Sequence, residues 1–267
     1  MHFTILASHR APHQLAHQAA LAEGLKALGF HSTLTSATRC KTKFVACWGW
    51  RAGKALRAQN HSVLVMERAY LGDRFNWTSL AWNGLNGYGT FAPAPKDNGE
   101  RFKQNFSPLK PWNTDGKYIL IMGQVPGDAS LRGQDLLPWY NATAQQAAEH
   151  YQMPVHFRPH PEALRKGHRA IVRGTERSRG TLDEALAGAA LVITYNSNSA
   201  VDAVLAGKPT ITADKGSMAW PVTGHAINDI VTPERDEWAH ELAWCQWRLD
   251  EIKSGKALSA LLGVQRG

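Results

Sequence analysis

Short apolar runs alternate with helical stretches along this chain, and run after run ends in a cluster of polar side chains. Residues 3–7 are mostly apolar and lead into Ser8-His9-Arg10, then into a stretch where Leu15, Ala19, Ala22 and Leu25 recur at spacings of three and four before Gly29. Residues 44–48 lead into Gly49-Trp50-Arg51 and a basic helix over 52–59, and residues 62–66 lead into Glu67-Arg68-Ala69-Tyr70. Five-residue apolar runs have the length of strands, and the 3.6-period segments between them are helices. Strands that alternate with helices build parallel βαβ units, so the fold class is α/β with open parallel sheets.

The pattern lapses and then starts again. From Leu71 to about Pro111 no period is visible, and turn residues such as Asn83-Gly84 and Pro93-Ala94-Pro95 accumulate. A domain boundary is therefore expected near residue 115, giving an N-terminal domain over 1–115 and a second Rossmann-like domain over 116–230. In the second half, strands are expected over 118–122, 155–157, 191–195 and 210–212, with helices over 138–151, from Thr181-Leu182-Asp183-Glu184 and from Ser199. The Thr181/Glu184 spacing is that of a capping box. Proline in Arg158-Pro159 ends its strand, because it cannot donate to a ladder. The remainder, 231–267, reads as a C-terminal helix with Pro233 at its first position and a stripe of Trp238, Leu242, Cys245, Leu249 and Ile252, expected to cross back to the first domain.

At 267 residues the chain is long enough for two compact cores. Its net charge of +8 favours polyanions or phosphorylated small molecules as partners. Ten tryptophans are expected in the core or on a binding surface. Three cysteines without a CxxC pair form neither a disulfide framework nor a zinc site, which suits a reducing, cytoplasmic setting. The first residues do not read as a secretory leader, and no apolar stretch approaches the ~20 residues of a membrane span.

Ligands of open α/β sheets bind beyond the C-terminal strand ends. The polar clusters lie at such ends: Ser8-His9-Arg10, Trp48 to Arg51 and Glu67 to Arg74 in the first half, Gln124 to Ser130, Arg158 to Glu162 and Asn196 to Ser199 in the second. Tyr195-Asn196-Ser197-Asn198-Ser199 offers hydroxyls and backbone N–H groups at a helix start, a pattern that suits either a phosphate or an ordinary cap. Arg158-Pro159-His160-Pro161 holds an imidazole between prolines, beside a guanidinium that favours an anion. There is no DxD-type metal pair, so metal-independent chemistry with no cofactor is expected.

The pair His160-Pro161 followed by Ser197 and Ser199 resembles the HP and serine motifs of bacterial sialyltransferases and capsule Kdo transferases. Met122 to Ser130, with Gln124 and Asp128, is similar to a loop of the capsule enzymes. The resemblance spans roughly residues 118 to 222. It implies a GT-B fold, two Rossmann-like domains with parallel sheets facing across a cleft, and a nucleotide-sugar donor bound by Gln124, Asp128, Arg158, His160, Tyr195, Ser197, Asn198 and Ser199. The first half lacks the paired acidic residues and glycine of sialyltransferases, which leaves the donor open between a UDP-sugar and a CMP-sugar. Residues 67–80 look instead like phage-type proteins, and several phage GT-B enzymes glycosylate hydroxymethylated pyrimidines in DNA.

The favoured expectation is transfer from a UDP-sugar to a hydroxymethylpyrimidine in double-stranded DNA, in a phage-infected bacterial cytoplasm. Glycosyl transfer needs a base for the acceptor proton and groups that stabilise the leaving phosphate. Asp73 is the expected base, with Glu67 and His9 in reserve. Arg10, Trp48, Trp50, Arg51, Lys54, Tyr70 and Arg74 are the expected acceptor contacts, with Arg39, Lys41, Lys43 and Arg57 nearby: cations for phosphates and aromatics for bases. The competing readings are a CMP-sugar transferase acting on a glycan or lipid, and a non-catalytic nucleic-acid-binding protein.

Overall fold

The computed structural model describes residues 1–8, 12–37, 40–96 and 98–264. In chain order the elements are β1 (His2–Leu6), α1 (Pro12–Ala27), β2 (His31–Thr35), β3 (Phe44–Trp48), α2 (Trp50–Ala58), β4 (Ser62–Arg68), β5 (Trp77–Trp82) and α3 (Glu100–Asn105). There follow β6 (Tyr118–Met122), α4 (Leu137–Tyr151), β7 (Val155–Arg158), α5 (Pro161–Arg165), β8 (Glu176–Arg177), α6 (Leu182–Gly188), β9 (Ala189–Thr194), α7 (Ser199–Leu205) and β10 (Thr210–Thr212). The chain closes with α8 (Asp236–Trp244), β11 (Gln246–Arg248), α9 (Leu249–Lys253) and α10 (Lys256–Leu262). Two compact units result, one of Met1–Phe106 with Glu237–Gly267, the other of Ser107–Asp236. No described helix is long and apolar enough to cross a membrane.

The first unit holds a six-stranded sheet in the order β11-β5-β4-β3-β1-β2. β2, β1, β3 and β4 run parallel, while β5 is antiparallel to β4 and β11 antiparallel to β5. Its core joins Phe3, Ile5, Leu21, Leu25, Leu64, Met66, Leu80, Trp247, Ile252 and Leu258. The second unit holds an all-parallel sheet in the order β10-β9-β6-β7-β8. Ile119, Ile121, Phe157, Leu191 and Ile193 face Tyr140 and Ala144 of α4. Leu120, Met122 and Val192 face Leu186 of α6 and Ala203 of α7. Burial on both faces explains why β6 and β9 read as apolar runs, while β7 alternates.

Several expectations are corrected. The aperiodic stretch after Leu71 contains β5, whose first five residues are buried. As an interior strand between β4 and β11 it has no solvent face, so no alternation marks it. β2 is polar and lies on the sheet edge. The buried face of α1 is His17, Gln18, Ala20, Leu21, Gly24 and Leu25, while Ala19 is exposed. Gln18 is held by its amide, which donates to the Leu6 carbonyl at 2.6 Å and accepts from the Ser8 N–H at 2.8 Å. A Cβ on Gly24 would lie 2.1 Å from the Ile252 carbonyl oxygen, so α9 packs on bare α1 backbone.

The unit boundary falls at Phe106/Ser107 rather than near 115. Residues 107–115 are fastened to the second unit: the Lys110 N–H donates to the Leu205 carbonyl at 3.0 Å, the Asn113 N–H to Gly207 at 2.7 Å, and the Trp112 indole to Pro233 at 3.0 Å. Residues 231–267 are not one helix. α8 ends at Trp244, and the chain extends as β11 against β5 before α9 and α10. The apolar stripe does not report that break, because Cys245, Trp247 and Ile252 are all buried beyond it.

Candidate functional site

The second sheet has a topological switch point at β6. From β6 the chain proceeds outward to β7 and β8 on one side, then returns to the other side as β9 and β10. Such a point opens a crevice beyond the strand ends. Met122 is in register with both Arg158 and Thr194, so the loops after β6, β7 and β9 leave the sheet at one level. Gln124, His160 and Ser197–Ser199 are thereby brought to one end of this unit.

Gln124 and Asn196 bridge the crevice. The Gln124 amide donates to Asn196 Oδ1 at 2.8 Å, and the Asn196 backbone N–H donates to Gln124 Oε1 at 3.0 Å. The Asn196 amide also donates to the Ser130 carbonyl at 3.0 Å and to Asp214 Oδ1 at 2.8 Å. Asn196 is 2% exposed, so this is an interior strut. Sequence reasoning named Gln124 as a donor contact, put Asn196 in the polar turn without a role of its own, and passed over Asp214. The only signal for them was position, two residues beyond β9 and two beyond β10.

The serine turn departs from its expected form. Free backbone N–H groups were expected at the start of α7. Instead the Ser199 N–H donates to Ser197 Oγ at 3.2 Å, the Ala200 N–H to the Ser197 carbonyl at 3.0 Å and the Val201 N–H to the Asn198 carbonyl at 2.9 Å. What remains is a hydroxyl: Ser199 Oγ is buried and has no hydrogen-bond partner among the described residues.

His160 caps α5. Its Nδ1 accepts the Glu162 N–H at 3.1 Å, which places the imidazole proton on Nε2. His160 and Gln124 line a cavity of about 320 Å³ with Gly123, Pro126, Tyr140 and His168. That volume is within the range of small-molecule sites. The Gln124 N–H donates to the Tyr140 hydroxyl at 2.9 Å. Burial pushes that hydroxyl up to about 12, outweighing the Gln124 contact, so it remains a neutral hydroxyl at physiological pH.

The other expected donor residues take supporting positions. Arg158 donates to the carbonyls of Arg179 at 3.4 Å and Gly180 at 2.9 Å, fastening the loop before α6. Asp128 caps the next turn, accepting from the Ser130 N–H at 2.9 Å and hydroxyl at 2.7 Å. The Tyr195 ring meets Trp139 edge-on at 5.5 Å. Its hydroxyl is shifted upward by burial and by Asp214, against Arg132. Among the described residues no group of three His, Cys, Asp or Glu is gathered as a metal would require.

In the first unit, His9, Arg10 and Arg39 lie outside the described residues. Asp73, the expected base, is exposed and caps a turn: its Oδ1 accepts from the Phe75 N–H and its Oδ2 from the Asn76 amide, both at 2.9 Å. Glu67, the penultimate residue of β4, lies beside Gly49 and accepts the Arg68 N–H at 3.3 Å. Arg51 and Lys54 are exposed on α2, and Arg74 is half-buried. Trp48 and Trp50 are half-buried and pack against core clusters, Trp48 also meeting His13 edge-on at 5.6 Å. Tyr70 is corrected as an acceptor contact: it is 4% exposed and its hydroxyl donates to Asn86 at 3.2 Å. Its ring cannot stack on a base. A tyrosine just past a strand looks exposed in sequence, but the loop holding it is drawn inward by Gln246, whose Oε1 accepts from the Tyr70 and Leu71 N–H groups at 2.8 and 2.9 Å.

Two solved structures from Thermosulfurimonas dismutans resemble this chain. The KpsC beta Kdo 2,7 transferase is 15% identical, with a TM-score of 0.60 over 98% of this chain and 98% of that one. The KpsC beta Kdo 2,4 transferase is 14% identical, with a TM-score of 0.57 over 89% of each chain. No protein family matches the sequence, and no curated protein matches it. At these identities the likeness shows the fold alone: a mixed α/β chain with two Rossmann-like units in the GT-B arrangement of elements.

Proposed function

We propose that this chain is a glycosyltransferase whose second unit holds a nucleotide-sugar donor. The observation that carries the reading is the orphaned Ser199 hydroxyl beside a crevice spanned by Gln124 and Asn196. A buried hydroxyl without a partner costs about 1–3 kcal/mol. A phosphate oxygen accepting from it removes that cost. The Nε2–H of His160 is a second donor for the charge that develops as the nucleotide departs. A CMP-linked sugar of the Kdo kind is supported as donor by the likeness to Kdo transferases, with a UDP-sugar as the other class.

Glu67 and Asp73 remain the proposed bases. Asp73 already spends both oxygens on its own turn, which favours Glu67. Transfer to a hydroxymethylpyrimidine in DNA draws support from the exposed cations Lys41, Lys43, Arg51, Lys54 and Arg57. It loses the stacking contribution of Tyr70. A glycan or lipid acceptor needs no base stacking.

Calorimetric titration and donor-hydrolysis assays with CMP-Kdo and with UDP-hexoses test the reading. Saturable binding of one class, weakened by Ser199→Ala, is expected. Binding of neither would overturn it and favour a non-catalytic protein. Mass spectrometry of hydroxymethylated DNA after incubation with the bound donor class then tests the acceptor.

A further inference from the structure

Residues 165–179, between α5 and α6, carry six lysines and arginines against a single carboxylate, Glu176. All six are exposed. Glu162, just before the stretch, binds Arg165 at 2.6 Å and Lys166 at 3.4 Å. The guanidinium groups of Arg169, Arg173, Arg177 and Arg179 make no ion pair among the described residues.

The middle of this cationic loop is aliphatic. Ile171 is 82% exposed, more than any other exposed large hydrophobic side chain. A lone exposed aliphatic is ordinary. Here the backbone holds it out. Val172 is buried against the α4 core, the Arg173 N–H donates to Asn141 Oδ1 at 2.8 Å, and the Thr175 hydroxyl donates to the Val172 carbonyl at 2.8 Å. With Val172 fixed inward, Ile171 projects between unpaired arginines. The same loop supplies His168 and Ala170 to the wall of the 320 Å³ cavity.

We infer that the 165–179 loop is a docking element for a bilayer surface rich in anionic phospholipid, with the arginines on the headgroup phosphates and Ile171 inserted among the acyl chains. Cations attract the surface and one inserted apolar group adds a second, short-range attraction, the pairing that interfacial anchors use. Nucleic acid would engage the same cations but would gain little from an aliphatic tip, because phosphates take charge and bases take aromatic or hydrogen-bonding partners. Docking through this loop sets the rim of the cavity at the membrane surface. The inference stands apart from the donor reading, since none of the residues altered below contributes to the crevice.

Sedimentation of the full chain with phosphatidylcholine vesicles, with and without phosphatidylglycerol, is the test. Binding is expected only with phosphatidylglycerol and is expected to weaken as salt rises. The double change Arg169→Ala/Arg173→Ala should lower partitioning about thirtyfold, at roughly fivefold per cation. Ile171→Ser should lower it about tenfold. Both variants should keep the parent's melting temperature and donor affinity. Absence of vesicle binding, or binding indifferent to phosphatidylglycerol, overturns the inference. So does duplex DNA binding that is lost in the arginine variant while Ile171→Ser leaves vesicle binding unchanged.

Discussion

Gln124 and Asn196 exchange two hydrogen bonds, 2.8 and 3.0 Å long, between the loops after β6 and β9. Asn196 carries on to Ser130 and Asp214, so one buried amide ties together three loops. Asn196→Ala should destabilise the second unit by about 2–4 kcal/mol, because it leaves several buried polar groups unpaired. A denaturant midpoint displaced by that amount, with donor affinity reduced alongside, is the expected result.

Ser199 should behave in the opposite sense. Its hydroxyl has no partner among the described residues, so Ser199→Ala removes a liability from the unliganded protein. Stability should stay the same or rise by up to about 1 kcal/mol, while nucleotide-sugar affinity falls by about 1.5–3 kcal/mol, as for a lost hydrogen bond to a charged group. Melting curves recorded with and without donor separate the two effects. A loss of stability with unchanged affinity would mean an ordinary structural serine.

Tyr70→Phe tests the corrected role of that residue. The change removes the hydrogen bond to Asn86 and leaves the buried ring in place. A cost of about 1 kcal/mol in stability is expected, with no change in the binding of any acceptor. Chemical denaturation and an acceptor-binding assay on the same variant provide the check.

Acid should open the first unit. Burial by itself would raise the Glu251 carboxyl, but the Arg101 hydrogen bonds, the Arg248 N–H and Lys256 outweigh it and hold the group at about 2. Arg101 meets both Glu251 oxygens at 2.6 and 2.8 Å and lies among Trp77, Trp244 and Trp247. A carboxyl depressed in the folded state stabilises fully above its unfolded pKa and loses that contribution as pH falls toward the folded value. The stabilisation, about 3 kcal/mol, should therefore disappear between about pH 4.5 and pH 2. Arg101→Ala should cost about 3–5 kcal/mol at neutral pH, because it strands a buried carboxylate. Urea titrations across that pH range, with and without the substitution, measure both.

His17 adds a second, milder window. Burial lowers its pKa, His13 lowers it further, and the Phe75 backbone acts the other way. A histidine that folds neutral stabilises fully above its unfolded pKa of about 6.5 and less as pH falls below it. Stability of His17→Asn should accordingly vary less between pH 7 and pH 5 than that of the parent chain.

In the second sheet β6 and β9 were legible because interior parallel strands are buried on both faces and read as apolar runs, whereas β8, two exposed charged residues at the sheet edge, carried no such signal. The capping box at Thr181 and the helix start at Ser199 were legible because they are local. β5 was hidden for lack of a solvent face, and the break between α8 and β11 because the apolar residues continue buried across it. His160 and the serine turn could be found as motifs, but which atoms remain for a ligand could not. Intraloop hydrogen bonds use the N–H groups of Ser199, Ala200 and Val201 and leave the Ser199 hydroxyl.

The sequence by itself determined an α/β chain of two sheets and placed its polar clusters at strand ends, because hydrophobic period and capping are written in neighbouring residues. Tertiary structure decided that Asn196 is the strut of the crevice, that Tyr70 is core, and that the C-terminal segment supplies β11 to the first sheet. Each depends on partners far away along the chain: Gln124 for Asn196, Gln246 for the Tyr70 loop, and β5 for β11. Contacts of that kind arise only when the chain has folded, and no local pattern encodes them.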